Sequence, residues 1–392
     1  ASKYLFSLGE TGSCTIVGHG SGHSARNAAY LNGIAGHVCE LDDGHRTAIG
    51  HPGCITLPVA LALAEQTNAT GADFLKAVIL GYDMFARMGR TLNPTHYRTW
   101  HTTGTAGTLA AAAAAASLLK LDAEQVNNAL GIAATSAGGI VESFGTHAKA
   151  TNIALACQNG LDSAELAKLG FTGSHSALLG KKGFIAATCT EPHIENLENP
   201  SEASLVSDTA FFKVYSSCGH TNSPLDVVFM MKKKYGIKAE DIESVQVKTY
   251  KVSVDLTSQL KTATEDEAKF SLPYCIALAF LFGSVSLNYF AASYRTDETV
   301  LGLARRIKVE EDPAATARFP HRQARVIITL KDGRVFDEIT LDSCDNADEE
   351  QIVAKFEAAV PFYDAERRAR IIDLVKNIDA QPDVHALAKL LS

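Results

Sequence analysis

The sequence predicts a mostly α-helical protein in which a mixed α+β segment is bracketed by helical segments. Residues 55–200 are rich in Ala, Gly and Ser with a helical pattern. An alternating apolar and polar run and a hairpin signal follow between residues 244 and 341, and the helical pattern returns between residues 348 and 391. With 392 residues, the chain is long enough for about two domains with sizeable cores.

Several closely packed helices are predicted in the N-terminal half. Small side chains at this density allow helix axes to approach one another, which is typical of a buried helical core. Asp122 marks one helix start clearly, because Gln125 follows three positions later in the pattern of a capping box. The predicted helices span residues 57–67, 72–92, 104–119, 122–134 and 153–169.

Strand patterns appear after residue 200. Residues 244–250 alternate as a half-buried strand does. Residues 324–330 and 334–341 form a second pair of strand patterns, and the intervening Asp332-Gly333 is a strong hairpin signal.

The composition excludes several classes of protein. Lys and Arg number 36 against 44 Asp and Glu, a formal charge of −8, and no basic cluster suited to nucleic acid is present. The longest apolar stretch, residues 106–119, is too short to span a bilayer. The eight cysteines are scattered without a CxxC motif, which favours reduced thiols. We therefore expect a cytoplasmic protein without a membrane or nucleic-acid partner.

The most polar loop carries three carboxylates, two histidines and an arginine within twelve positions. One interpretation is a metal site, although no HExxH or HxxxH motif accompanies it. A second is acid/base catalysis, in which carboxylates orient an imidazole. A third is a helix terminus with local capping and pairing. The residues concerned are Glu40, Asp42, Asp43, His45, Arg46 and His51.

Four further positions could carry chemistry. His101 precedes the alanine-rich helix, where a helix N-terminus disfavours its protonated form. Lys149 follows a Gly/Thr loop and could bind a carboxylate or simply be solvated. Cys218 near His220 suggests a thiolate nucleophile or plain packing, and Tyr274 could donate a proton or lie at a core boundary. Nucleotide-binding and α/β-hydrolase motifs are absent from the sequence.

Taken together and in order, these motifs resemble the MmgE/PrpD family, which contains 2-methylcitrate dehydratases, cis-aconitate decarboxylases and iminodisuccinate epimerase. The resemblance covers nearly the whole chain. The segments that carry it are residues 33–43, 50–52, 100–103, 144–149, 217–218 and 268–274.

This resemblance implies a large all-helical domain with an inserted, smaller α+β lid domain. The corresponding boundaries are residues 1–205 plus 346–392 for the helical domain and 206–345 for the lid. It also implies a homodimer, a small polycarboxylate substrate, no cofactor and no metal. The family's chains have further helices before the segment that matches residues 12–22, so this chain is expected to be short at its N-terminus.

The resemblance also assigns residues to the site. Glu40 stands where the decarboxylases have an aspartate, and Gly44 stands where they have a hydroxyl residue. His51, His101, Lys149 and Tyr274 match active-site residues of the family. Two histidines of the family are replaced, one by Asn152 and the lid histidine by Asn222, with His220 two residues away.

The relatives share a carbanion formed next to a carboxylate, so the site requires cations and a base. We expect Lys149 and Arg46, and more weakly His45, to bind carboxylates, while His101 or His51 moves the proton. Asp43 or Glu40 would orient a histidine, and Tyr274 would hold or protonate the leaving or carbonyl oxygen. The remaining candidates for substrate binding are His220, Asn222 and Lys269.

The function expected first is a cofactor-independent lyase that dehydrates a small hydroxy di- or tricarboxylate. An epimerase or a decarboxylase of a related acid is the alternative within enzymes. A non-catalytic member that serves as a binding protein is an alternative of another class, and the two histidine-to-asparagine replacements are the observations behind it.

Overall fold

A computed structural model describes residues 1–198, 210–343 and 347–392. We call residues 1–198 and 347–392 the helical region and residues 210–343 the mixed region. The predicted domain boundaries, at residues 205/206 and 345/346, lie outside the described residues.

Helices dominate the described residues, as the sequence predicts. The α-helices are α1 Ser2–Ser7, α2 Ala25–Val38, α3 Gly53–Thr67, α4 Gly71–Leu92, α5 Thr102–Leu118, α6 Ala123–Ser136, α7 His147–Lys168, α8 Phe184–Thr188, α9 Glu195–Glu198, α10 Asn222–Tyr235, α11 Lys251–Thr257, α12 Glu265–Lys269, α13 Leu272–Phe282, α14 Ala292–Arg295, α15 Glu298–Ala304, α16 Pro313–Ala317, α17 Glu349–Ala359, α18 Ala365–Lys376 and α19 His385–Leu391.

The strands are short, and four of them build one sheet. They are β1 Cys14–Ile16, β2 Gly20–His23, β3 Asp43–His45, β4 Ala210–Phe212, β5 Ile242–Thr249, β6 Ile307–Glu311, β7 Ala324–Leu330 and β8 Val335–Thr340. The four-stranded sheet has the order β6-β5-β7-β8, with β5 parallel to β6 and antiparallel to β7. The predicted β7–β8 hairpin is confirmed, and Gly333 at its turn has a φ of +88°.

The helical core joins the two ends of the chain. Alanine-rich helices α5 and α7 pack closely, as expected of small side chains. Ile371 of α18 and Leu387 of α19 belong to the same buried cluster as Ile55 and Leu161, so the C-terminal helices return to the N-terminal core. The predicted capping box at Asp122 and Gln125 is confirmed.

The mixed region has its own buried cluster, in which α10 and α13 pack against the sheet. Val228 and Ile276 from these helices meet Val247 and Val326 from β5 and β7. A strand pair that the sequence did not predict joins the two regions, because β3 of the helical region pairs with β4 in antiparallel register. This pair brings the polar loop next to the mixed region.

No helix in the described ranges has the length and hydropathy that a membrane span requires.

Candidate active site

One cavity lies between the helical region and the mixed region, and it collects ionisable side chains from both. The space between its lining side chains, including the open mouth, is about 410 Å³. Five predicted site residues line it: Glu40, His51, His101, Lys149 and His220. Further lining side chains are Tyr97, Phe144, Cys218, Phe270 and Arg322.

Glu40 lies at the centre of a buried ion-pair network. It follows α2 with a φ of +52°, in the left-handed region that residues other than glycine seldom adopt. Its carboxylate accepts hydrogen bonds from Lys149 Nζ and, at 2.7 Å, from Lys213 Nζ. Burial opposes ionisation, but the two ammonium groups hold the pKa of Glu40 well below its ordinary value.

The network continues from Lys213 to two more residues. Lys213 Nζ also donates to Asp42 Oδ1 at 2.7 Å, and Asp42 Oδ2 accepts a hydrogen bond from His37 Nδ1 at 2.6 Å. Although burial favours the neutral amine, Asp42 and Glu40 raise the pKa of Lys213 above its ordinary value. The two lysines and the two carboxylates therefore balance in charge.

The surroundings of His51 determine which of its two ring nitrogens carries the proton. Its Nδ1 lies 2.6 Å from the backbone oxygen of Asp43 and 3.5 Å from Asp42 Oδ2. Because both neighbours can only accept, Nδ1 carries the proton and Nε2 has a free electron pair. Burial is the main reason that the pKa of His51 falls to about 3, so the ring is neutral near pH 7.

His101 has the opposite tautomer. Ser143 Oγ donates to the Ile140 carbonyl at 2.7 Å, so it must accept from Asn152 Nδ2 at 3.0 Å. This fixes the orientation of the amide, whose other N–H faces His101 Nδ1 at 3.2 Å. The proton of neutral His101 is therefore on Nε2.

Local backbone geometry makes this contact possible. His101 is the N-cap residue of α5, and its backbone N–H donates to Gly139 O at 3.0 Å. Gly139 has a φ of +117°, and a Cβ there would lie 3.1 Å from Asn152 Cγ. Burial and the nearby Lys149 hold the pKa of His101 well below its ordinary value, which keeps the ring neutral.

His220 and Cys218 enter the cavity from the mixed region. His220 Nδ1 lies 2.8 Å from the hydroxyl of Tyr250, and burial lowers the pKa of His220 well below its ordinary value. Burial raises the pKa of Cys218, so its thiol is protonated and poorly suited to nucleophilic attack. The thiolate hypothesis for Cys218 is therefore unsupported by its surroundings.

The Asp43 carboxylate faces away from the cavity. Its two oxygens accept hydrogen bonds from Gly53 N at 3.0 Å and from the Tyr82 hydroxyl at 2.9 Å. Burial and the adjacent Asp42 carboxylate raise the pKa of Asp43 to about 7. Asp43 orients His51 through its backbone oxygen, whereas its side chain anchors the start of α3.

Other predicted site residues also lie outside the cavity lining. Tyr274 donates its hydroxyl to Tyr289 O at 2.7 Å, and Lys269 Nζ donates to Val38 O at 3.1 Å. Arg46 binds Asp342 Oδ1 at 2.8 Å. Of the remaining two, His45 is buried in β3 and Asn222 is buried at the first turn of α10.

Three side chains near the cavity could be tested as metal ligands. The ligand atoms of His37, Asp42 and Cys54 lie within 4.8 Å of one another. Asp42 is already paired with Lys213, whose ammonium group would repel a cation. Burial raises the pKa of the Cys54 thiol well above its ordinary value, which disfavours the thiolate that a metal requires. These residues do not fit a metal ion.

Family models match most of the chain. Residues 1–197 match the MmgE/PrpD N-terminal domain, and residues 215–380 match the MmgE/PrpD C-terminal domain. The chain belongs to the MmgE/PrpD family. The family inferred from the sequence motifs is thereby confirmed.

Relatives within the MmgE/PrpD family are similar over most of their length. A cis-aconitate decarboxylase-like protein of Aspergillus oryzae is 23% identical over 423 residues, covering 100% of this chain and 87% of the relative. The cis-aconitate decarboxylase of Homo sapiens is 26% identical, covering 93% of this chain and 79% of the relative. The cis-aconitate decarboxylase of Aspergillus terreus is 25% identical, covering 100% of this chain and 87% of the relative.

Sequence reasoning missed two residues that shape this MmgE/PrpD site, the buried cations Lys213 and Arg322. It named Asn152 only as the replacement of a family histidine, whereas the folded chain uses this amide to fix the tautomer of His101. Lys213 opens the polar segment before Cys218, which is a usable signal. Arg322 lies among other charged residues just before a predicted strand, so the sequence gives no signal that its side chain is buried.

Proposed function

We propose that this protein is a cofactor-independent lyase that dehydrates a small hydroxy polycarboxylate through a carbanion next to a carboxylate. The observation that carries the proposal is that two neutral histidines of opposite tautomer line one cavity. His51 offers an electron pair on Nε2, whereas His101 offers a proton on Nε2. Elimination of water requires both a base and an acid.

The reaction begins when His51 Nε2 removes the proton from the carbon next to a substrate carboxylate. The C–H electron pair moves into that carboxylate and forms an enediolate-like dianion, which buried cations stabilise. A bound polyanion raises the pKa of His51, so the ring gains basicity when the cavity is occupied. Among the described residues, Lys149 at the first turn of α7 is the lysine that lines the cavity.

The second step breaks the C–O bond. As the C–O bond breaks, His101 Nε2–H gives its proton to the leaving hydroxyl, so water and the carbon–carbon double bond form and His101 is left as an imidazolate whose Nδ1 faces the Asn152 amide. A neutral imidazole can act as such an electrophile when burial keeps it uncharged. The proton held by His51 then restores His101, and both rings return to their starting tautomers.

Decarboxylation of an unsaturated tricarboxylate is the second candidate, because two of the relatives named above are cis-aconitate decarboxylases and the third is a cis-aconitate decarboxylase-like protein. Loss of CO₂ leaves the carbanion without prior removal of a proton. It therefore needs an acid such as His101 but no base. Dehydration therefore requires His51 as a base, whereas decarboxylation does not.

Proton NMR in deuterated buffer tests the proposal. The panel contains citrate, 2-methylcitrate, cis-aconitate and substituted succinates, and dehydration of one hydroxy acid is the expected result. Loss of CO₂ from cis-aconitate alone would replace dehydration by decarboxylation. Deuterium incorporation with no net change would indicate an epimerase, and no reaction of any acid would favour a non-catalytic protein.

Two variants separate the base from the acid. His51→Asn keeps an N–H toward Asp43 O but removes the base, so both deuterium exchange and dehydration should fall by about 10²–10⁴-fold. His101→Gln keeps a hydrogen-bond donor but cannot release its proton, so dehydration should fall while exchange at carbon persists. The control is His147→Gln, since His147 is 92% exposed at the start of α7. Full activity in His51→Asn would refute the assignment of the base.

A further inference from the structure

Arg322 is a buried guanidinium with unused hydrogen-bonding capacity at the cavity. The residue is 6% exposed and is the only buried arginine among the described residues. Nη1 donates to Gly219 O at 3.1 Å, and no carboxylate oxygen within the described ranges pairs with the guanidinium. Charged side chains are seldom buried without a partner of opposite charge.

The packing around Arg322 fixes its guanidinium at the cavity wall. The group lies 4.8 Å from the centre of the Phe211 ring, within cation–π range. Phe211 pairs with Gly44 across β3 and β4, and a Cβ on Gly44 would lie 2.3 Å from the ring. The absence of a side chain at Gly44 therefore makes room for the ring on which Arg322 rests.

The charge balance shows why Arg322 differs from the lysines nearby. Lys149 and Lys213 are neutralised by Glu40 and Asp42 through direct ion pairs. The histidines of the cavity are neutral, as described above. Among the lining residues that the structure describes, the uncompensated positive charge is therefore that of Arg322.

We propose that Arg322 binds a second carboxylate of the substrate, one that does not take part in the reaction. This inference rests on the proposed function, and it makes the substrate at least a dicarboxylate. Two N–H groups of a guanidinium can bind one carboxylate in parallel, which gives both affinity and orientation. Arg322 thereby selects polycarboxylates over acids with a single carboxylate.

Calorimetric binding of an unreactive acid tests this role. Propane-1,2,3-tricarboxylate carries three carboxylates but has no hydroxyl to eliminate, and butyrate carries one carboxylate. Arg322→Gln should weaken binding of the tricarboxylate by roughly 10- to 100-fold. Binding of butyrate should be the same in both proteins. Arg318→Gln, which removes the same charge from an exposed position, should bind the tricarboxylate within twofold of the wild type.

Arg322→Lys guards against a folding defect, because it keeps the charge but loses the paired N–H groups. Its affinity should lie between those of the wild type and Arg322→Gln. Tricarboxylate binding that is unchanged in Arg322→Gln, or absent in the wild type, would overturn the inference. Binding as expected without turnover of any acid in the NMR panel would remove the proposed lyase activity and leave the role of Arg322 intact.

Discussion

Asp43→Asn should change how stability depends on pH. Asp43 is buried, and its pKa rises from 3.8 to about 7 because burial and Asp42 disfavour its charge. Between these values the folded chain binds more protons than the unfolded chain, so this group's contribution to stability falls as pH rises. The asparagine side chain cannot ionise and removes this dependence.

The magnitude follows from the two pKa values. One pKa unit corresponds to about 1.4 kcal/mol, which gives an upper bound of about 4 kcal/mol for the complete titration. Between pH 5 and pH 8 the wild type should lose about 2.5 kcal/mol relative to Asp43→Asn. The buried histidines have lowered pKa values and act in the opposite direction. They act in both proteins, so the difference between the proteins isolates Asp43.

Urea unfolding followed by circular dichroism at pH 5, 6, 7 and 8 measures this effect. Asp379→Asn is the control, since Asp379 is exposed and its replacement should leave the pH profile unchanged. A parallel pH dependence in the wild type and Asp43→Asn would refute the reasoning about Asp43. Turnover at pH 7 should change little in Asp43→Asn, because its backbone oxygen still holds His51.

Three further changes test the packing around the site. Lys213→Met leaves two buried carboxylates without their shared cation and should cost about 3–5 kcal/mol of unfolding free energy. Lys234→Met, the control, removes an exposed ion pair and should lower the free energy of unfolding far less. Gly44→Ala places a Cβ 2.3 Å from an aromatic ring and should lower the free energy of unfolding by about 1–3 kcal/mol. In the control, Gly302→Ala in α15, the new Cβ meets no neighbour within 4 Å and should raise the free energy of unfolding by about 0.5–1 kcal/mol. Equal effects of the two substitutions in urea unfolding would contradict the overpacking argument. Tyr274→Phe loses one buried hydrogen bond and should lower the free energy of unfolding by about 1 kcal/mol while turnover stays within about twofold of the wild type. A tenfold loss of turnover would instead place Tyr274 in the reaction.

Local patterns were sufficient wherever neighbouring residues decide the structure. The capping box at Asp122, the hairpin at Asp332-Gly333 and the position of His101 at a helix N-terminus depend on residues within a few positions. The start of α7 differs from the prediction, because Thr146 caps the helix and its first turn carries Lys149. The hydroxyl of Thr146 accepts a hydrogen bond from Ala148 N, so Thr146 is a local helix-start signal that the prediction did not use.

The sequence alone determined the family, the predominance of helices and most of the polar groups that meet at the cavity. Tertiary structure decided what those groups can do. Arg322 reaches the cavity from the segment just before β7, and Lys213 joins Glu40 across 173 positions. The tautomers of His51 and His101 depend on partners that only the packed chain supplies. Burial sets the charge of each ring, and burial is a property of the folded chain.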